Sequence, residues 1–356
     1  MIDIVTYYSI LSLTKTIKLF IRSDKKMLNA AILGLGWWGK HIIKTLENSN
    51  LIQVTAASSK SKEKHSQFLE QHRIKFYDTY AELLSDSKID AVIICTPNTQ
   101  HEEQVLQAID SKKQVFCEKP MTLKKESAQI MIQAAKKSKI ILGIGHERRF
   151  DPAMEKFKKT INSKIFGEKM HIEANWSHDI LAALDSNNWR GSNSEAPAGG
   201  MTGTGVHMTD LFLSMFGSVE GLFAQSSNRV LGFETGDLCV VLMKFKNGAT
   251  GQLSVVSKTP YYCRLTAFGD NMWTEVRDLK HPMFKAETEL TTCRIGEAPI
   301  KEFYPAIDTI KSNIEEWSLA ILNKGSYRFT DQEKIENVAI LEAINQSILK
   351  KKWVEL

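Results

Sequence analysis

A glycine-punctuated turn constrains this chain more than any other feature. Ala30-Ala31-Ile32-Leu33 is a short apolar run that breaks into Gly34-Leu35-Gly36-Trp37-Trp38-Gly39, and a helical pattern follows through Asn48. A Gly-x-Gly-x-x-Gly between a strand and a helix is the fingerprint of a dinucleotide-binding βαβ unit. Gly34 makes the tight turn out of the strand. Gly36 lets the backbone approach a pyrophosphate. Gly39 lets the helix pack closely on the strand. The helix N-terminus then offers unpaired N–H groups and the positive end of its dipole to the phosphates.

The pattern repeats downstream. Leu51 to Ala57 reads as a second strand, 62–74 as a polar helix, and Ala91 to Cys95 as a strand covered on both faces. A helix with Val105, Leu106 and Ile109 on one face follows, then the strand Gln114 to Cys117, a helix from Leu123 to Lys137 and the strand Ile140 to Ile144. Such alternation predicts a doubly wound parallel sheet, with ligands beyond the carboxyl ends of its strands. Gly34, Ser58, Thr96 and Glu118 stand at those ends and are expected to share one crevice.

Past His146 the periodicity changes. Strand-like runs dominate between Lys169 and Phe268, interrupted by a glycine-rich loop and helix from Gly199 to Phe216, and two helices close the chain. The second opens with Thr330-Asp331-Gln332-Glu333, a capping box. The fold expected is α/β: an N-terminal doubly wound sheet over 27–147, then an α+β domain with an open, largely antiparallel sheet over 148–356. Residues 1–26 are read as an extension upstream of a native start at Met27.

Bulk properties narrow the function. The 356 residues suit two domains, and 43% hydrophobic with 24% charged residues suits a globular protein in water. Net charge is +5, of which the first 26 residues hold +3, so the remainder gives no case for nucleic acid. The leader's apolar run is broken by Lys15 and Lys18, too short to span a bilayer. The cysteines at 95, 117, 239, 263 and 293 form no Cys-x-x-Cys pair, and reduced thiols in the cytoplasm are expected. No His, Cys, Asp and Glu cluster has metal-ligand spacing.

After the second strand comes Ser58-Ser59-Lys60, with no acid before Glu63. An NAD site of this kind carries a carboxylate there for the ribose 2′-hydroxyl. Hydroxyls and a cation suit a 2′-phosphate, so NADP is favoured slightly over NAD.

Several motifs in order resemble the Gfo/Idh/MocA oxidoreductases. They are the glycine turn, Thr96-Pro97-Asn98 with His101, Glu118-Lys119-Pro120, Arg149-Phe150-Asp151-Pro152, Gly199-Gly200 with His207 and Asp210, and Glu342-Ala343-Ile344-Asn345-Gln346-Ser347. The resemblance implies hydride transfer between NAD(P) and a hydroxyl/ketone couple of a sugar, cyclitol, sugar nucleotide or dihydrodiol, in a homo-oligomer, dimer or tetramer. A cofactor-bound regulator without turnover, or an NAD-dependent glycosidase, are the alternatives.

By that resemblance Lys119 is the proton donor and acceptor, with His207 sharing the proton. The cofactor set is Gly34, Gly36, Trp37, Trp38, Gly39, Ser58, Ser59, Lys60, Thr96, Pro97, Asn98, His101, Glu118 and Lys119. The substrate set is Lys119, Arg149, Trp189, Arg190, Thr204 and His207, with Trp176 and His178 as further lining candidates. Many relatives carry an aspartate four residues before the histidine, where this chain has Gly203. Thr202, Thr204 or Asp210 are the candidates to compensate.

Overall fold

A computed structural model describes residues 27–183, 188–284 and 286–356. The expected N-terminal extension lies outside the described residues.

Six parallel strands form the first sheet: β1 (Leu28–Leu33), β2 (Ile52–Ser58), β3 (Lys75–Tyr77), β4 (Ala91–Ile94), β5 (Gln114–Cys117) and β6 (Leu142–Ile144), in the order β3-β2-β1-β4-β5-β6. The order reverses between β1 and β4, which opens a crevice at the carboxyl ends of both. Helices α1 (Trp37–Leu46), α2 (Ser66–Gln71), α3 (Tyr80–Ser85), α4 (His101–Asp110) and α5 (Lys125–Ser138) connect the strands. The apolar runs that define β1 and β4 are buried because helices cover the sheet on both faces.

After α6 (Pro152–Ile161) the chain builds a nine-stranded sheet from β7 (Lys169–Ser177), β8 (Val219–Ser227), β9 (Leu238–Phe245), β10 (Thr250–Val256), β11 (Tyr262–Gly269), β12 (Met272–Asp278), β13 (Thr288–Arg294), β14 (Ile300–Tyr304) and β15 (Val354–Glu355). Its order is β14-β13-β12-β11-β7-β10-β9-β8-β15, and among the described residues β7 with β10 is its one parallel pair. Helices α6, α7 (Val206–Phe216) and α9 (Asp331–Lys350) supply residues to the core on one face, where Phe157, Phe212 and Ile340 join Ile172, Leu253 and Leu265. The other face leaves Leu242, Tyr262 and Phe303 exposed.

Helix α8 (Thr309–Ile321) departs from the simple two-part reading. Its Ile314 and Trp317 pack with Ile32 and Phe116 of the first sheet, and the Trp317 indole donates to the Ile141 carbonyl at 2.8 Å. The chain thus returns to the first core before α9 spans both. Thr330 caps α9 through the expected capping box with Glu333. No helix among the described residues is long and apolar enough to cross a membrane.

Candidate active site

The three glycines do three different jobs. Gly34 has φ +99°, and a Cβ there would stand 2.9 Å from the Cys95 carbonyl oxygen. Its N–H donates to the Ser58 carbonyl at 2.9 Å, tying the turn to the end of β2. At Gly39 a Cβ would be driven into the Gly34 carbonyl, so helix and turn meet only without a side chain. A Cβ on Gly36 would meet nothing within 4 Å, and α1 begins there with no side-chain cap and no acid in its first turn. This uncapped helix N-terminus, open at Gly36, fits the pyrophosphate of a dinucleotide.

Trp37 is 58% exposed and its ring lies parallel to His41 at 5.6 Å. Trp38 turns inward, where its indole faces Glu118 and favours that carboxylate; Nε1 falls short of a hydrogen bond. Ser58 is buried, Ser59 Oγ lies 3.5 Å from the Leu35 N–H, and Lys60 is exposed. Lys40 and Lys64 both face His65 and help burial lower its pKa. The rim after β2 is therefore cationic.

Beyond β4, Thr96 donates to Gln104 Oε1 at 2.5 Å. After Pro97, Asn98 is buried, and its amide donates to the Glu195 carbonyl at 2.6 Å. The Glu195 carboxylate accepts from the Thr99 N–H at 3.0 Å, so the loop of the second domain is fastened to this strand end. His101 is fully buried, with its ring nitrogens 3.0 Å from the Thr96 and Pro120 carbonyls. Its ring braces the strand end and the turn that carries Lys119.

Lys119 follows β5, and the Lys119–Pro120 bond is cis. Its Nζ donates to the Gly203 carbonyl at 2.6 Å, across the crevice. Burial lowers its pKa; Glu118 and Glu147 oppose the fall and Arg190 adds to it. Burial pushes Glu118 up to about 7, opposed by Lys119 and reinforced by Glu147. Arg190 lies over the Trp189 ring at 4.1 Å, which places both on the second-domain side of the same crevice.

His207 stands in the first turn of α7 and is 3% exposed. Its ring lies 5.2 Å from Trp176 and 5.5 Å from His146. Burial, then Lys119, hold its pKa well below the usual histidine value. Its Nδ1 makes no hydrogen bond and lies 3.8 Å from Glu147 Oε2. His178 also faces Lys119, and burial brings it down to about 4. The crevice thus joins a lysine of lowered pKa, two carboxylates of raised pKa and a neutral imidazole. Such a set can take up and return one proton.

Residues 28–146 match an oxidoreductase family with an NAD-binding Rossmann fold, GFO_IDH_MocA, and residues 154–275 match the GFO/IDH/MocA C-terminal domain. The chain belongs to the GFO/IDH/MocA family. A myo-inositol 2-dehydrogenase of Thermotoga maritima is 32% identical over 52% of this chain and 55% of its own length. An NADP-dependent D-xylose 1-dehydrogenase of Haloarcula marismortui is 28% identical over 45% and 46%. The chain spans about half the length of the curated relatives it matches. A crystal structure of a putative NADPH-dependent oxidoreductase from Desulfitobacterium hafniense superimposes with a TM-score of 0.86 at 24% identity, covering 92% of this chain and 97% of the other.

Within this family fold, Arg149 corrects the sequence expectation of a substrate contact. Its guanidinium is spent on Asp210 through Nε and a second nitrogen, both at 2.7 Å, and on Glu333 at 3.0 Å, with Phe329 stacked beneath. Asp210 is thereby committed to Arg149 and does not replace an acid at Gly203. Thr202 donates to the Pro197 carbonyl and Thr204 to the Gly200 carbonyl at 2.9 Å. Glu147 was missed by sequence reading. The signal for it was its position just past the end of β6, on the same crevice rim.

Proposed function

We propose that this chain is an NAD(P)-dependent dehydrogenase acting on a hydroxyl/ketone couple of a sugar or cyclitol. Lys119 carries the reading: a half-buried amine of lowered pKa, at a strand end beside the glycine cradle, held at 2.6 Å by a carbonyl of the opposite domain. The relatives named above, which act on myo-inositol and D-xylose by name, support that substrate class.

Gly34, Gly36, Gly39 and the start of α1 hold the pyrophosphate, and Ser58, Ser59 and Lys60 face the adenosine ribose. Trp37, Trp38, Thr96, Pro97, Asn98 and Glu118 line the way from there to Lys119, while His101 acts by bracing. When bound, the nicotinamide supplies the acceptor or donor of hydride. In oxidation, Lys119 Nζ takes the hydroxyl proton as the carbinol hydride leaves; in reduction it returns that proton. His207 stays neutral and orients the substrate oxygen, with Trp189, Arg190 and Thr204 lining the substrate side. NADP is preferred over NAD, supported by the cationic rim after β2 and the absence of an acid before Glu63. A dimer or tetramer forms on the exposed sheet face around Leu242 and Phe303.

The test is a panel of sugars, cyclitols and diols, followed by reduced-nicotinamide absorbance with each cofactor, together with both dissociation constants at one salt concentration. Net cofactor reduction and tighter NADP binding are expected. Turnover of a glycoside without net reduction would overturn the dehydrogenase reading, and tighter NAD binding the cofactor assignment.

A further inference from the structure

We propose that Glu147 is a positioning residue for proton transfer, supplying at the end of β6 the negative charge that Gly203 does not supply across the crevice. The inference rests on the dehydrogenase reading for its purpose, but its geometry stands separately. Glu147 begins the turn Glu147–Phe150, which follows β6 after two intervening residues. The two residues after it are cations whose ion pairs lie elsewhere, although Arg148 still favours the charged Glu147 carboxylate. Arg148 is bound to Asp278 at 2.8 Å and to Asp151 at 3.4 Å, and Arg149 to Asp210 and Glu333. The Glu147 carboxylate, its side chain 15% exposed, instead meets His207 Nδ1 at 3.8 Å, a buried nitrogen with no hydrogen bond.

Across the crevice the complementary gap is visible. Gly203 holds Lys119 Nζ with its carbonyl, is itself exposed, and a Cβ there would meet nothing within 4 Å. Position 203 therefore has room for a side chain and offers only a backbone dipole. Proton transfer changes the charge on Lys119 by one unit, and a carboxylate nearby favours the charged form of an amine. Glu118 and Glu147 are the two that face Lys119, against Arg190 and His178. Around His207 stand Lys119, His146, Arg148 and His281 besides Glu147, and Asp210 faces Glu147 from α7. Among these acids, Asp210 is already paired with Arg149, whereas Glu147 stands 3.8 Å from His207 Nδ1 and its charge acts on Lys119 through space.

The acidity of Lys119 can be read without turnover, from the pH dependence of its labelling by an amine-reactive reagent followed by mass spectrometry. In Glu147→Gln the midpoint for Lys119 should fall by about one pH unit, a tenfold change at fixed pH. Glu147→Asp should keep most of the parental midpoint. Adding Gly203→Asp to Glu147→Gln should bring it back up. A midpoint unmoved in Glu147→Gln, or moved equally in Glu147→Asp, would overturn the proposal. Failure of Gly203→Asp to restore it would overturn the equivalence of the two positions. Where the parent turns over, the amine-dependent limb of the pH–rate profile should move in parallel. A parent that labels as expected but never turns over sinks the dehydrogenase reading and leaves the assignment of Glu147 intact.

Discussion

Two basic groups at the domain boundary, Arg149 buried and Lys119 half-buried, both act on His146 and are treated in opposite ways. Arg149 has each of its guanidinium nitrogens engaged: two on Asp210, one on Glu333, with an aromatic face beneath. Lys119 has one carbonyl at 2.6 Å and, among the described residues, no carboxylate within ion-pair distance, although Glu118 and Glu147 both face it. Burial costs both groups charge stabilisation. In the arginine cluster, carboxylates in contact return it, and the pKa stays above the ordinary value. Around Lys119 they return only part, and the pKa falls. A closed cluster fixes a geometry. An open one leaves a proton free to move.

Removing the open group should give the largest effect. General acid–base groups contribute about 10²- to 10⁴-fold in rate. Lys119→Ala should therefore lower kcat by an amount in that range. Cofactor affinity, held by the glycine turn and the end of β2, should stay within about threefold of the parent by fluorescence titration, on the view that the phosphate and ribose contacts are intact. Parental turnover in this variant would remove the difference between the two clusters.

Breaking the closed group should act on stability instead. Arg149→Met leaves Asp210 and part of Glu333 buried without their partner, and breaking such a pair costs about 3 to 5 kcal/mol. Urea unfolding should show that loss, while kcat of the folded fraction stays within a few-fold of the parent. A stable variant with a lost substrate affinity would return Arg149 to the substrate set.

Both clusters are hard to read from sequence, for one reason. The glycine turn is legible because its whole argument lies within six residues: Gly34 needs a positive φ and Gly39 a missing Cβ whatever else the chain does. The parallel sheet is legible because β1 and β4 are apolar without alternation. Charged groups carry no such local mark. Glu147, Arg148 and Arg149 are consecutive, yet they turn to His207, Asp278 and Asp210, which lie 60 or more residues away. Which of the three serves the crevice is decided by the turn after β6 and not by residue type. Lys119 was singled out by family resemblance; its chemistry alone would have left it a surface lysine. Strands β12 to β14 escaped for a related reason. They lie towards one edge of the sheet, and runs such as Thr288-Glu289-Leu290-Thr291-Thr292 bury few apolar side chains. Strand β3, three residues long, sits at the edge of the first sheet beyond the polar helix.

The smallest of the three effects concerns the carboxylate between the two clusters' behaviours. Glu118 is buried, accepts the Lys119 backbone N–H at 3.2 Å, and has its pKa pushed up to about 7. The folded protein then binds this proton more tightly than the unfolded chain, whose carboxyl keeps a value near 4.5. Its favourable contribution is complete below about pH 4.5 and is lost as pH rises through 7, the reverse of a salt-bridged acid. Burial of His146 and His178, each brought down to about 4, works in the other direction, adding stability as pH rises from about 4 to 6.5. A pH scan of the parent alone therefore mixes opposing slopes. Glu118→Gln isolates one of them, because the histidines are common to both proteins and the amide oxygen can still accept the Lys119 N–H. The stability of the variant relative to the parent should rise by about 2 to 4 kcal/mol between pH 4.5 and 8, measured by urea unfolding without cofactor. A relative stability that is flat with pH would mean that Glu118 is paired as fully as the carboxylates around Arg149, and the contrast between an open and a closed cluster would fail at that residue.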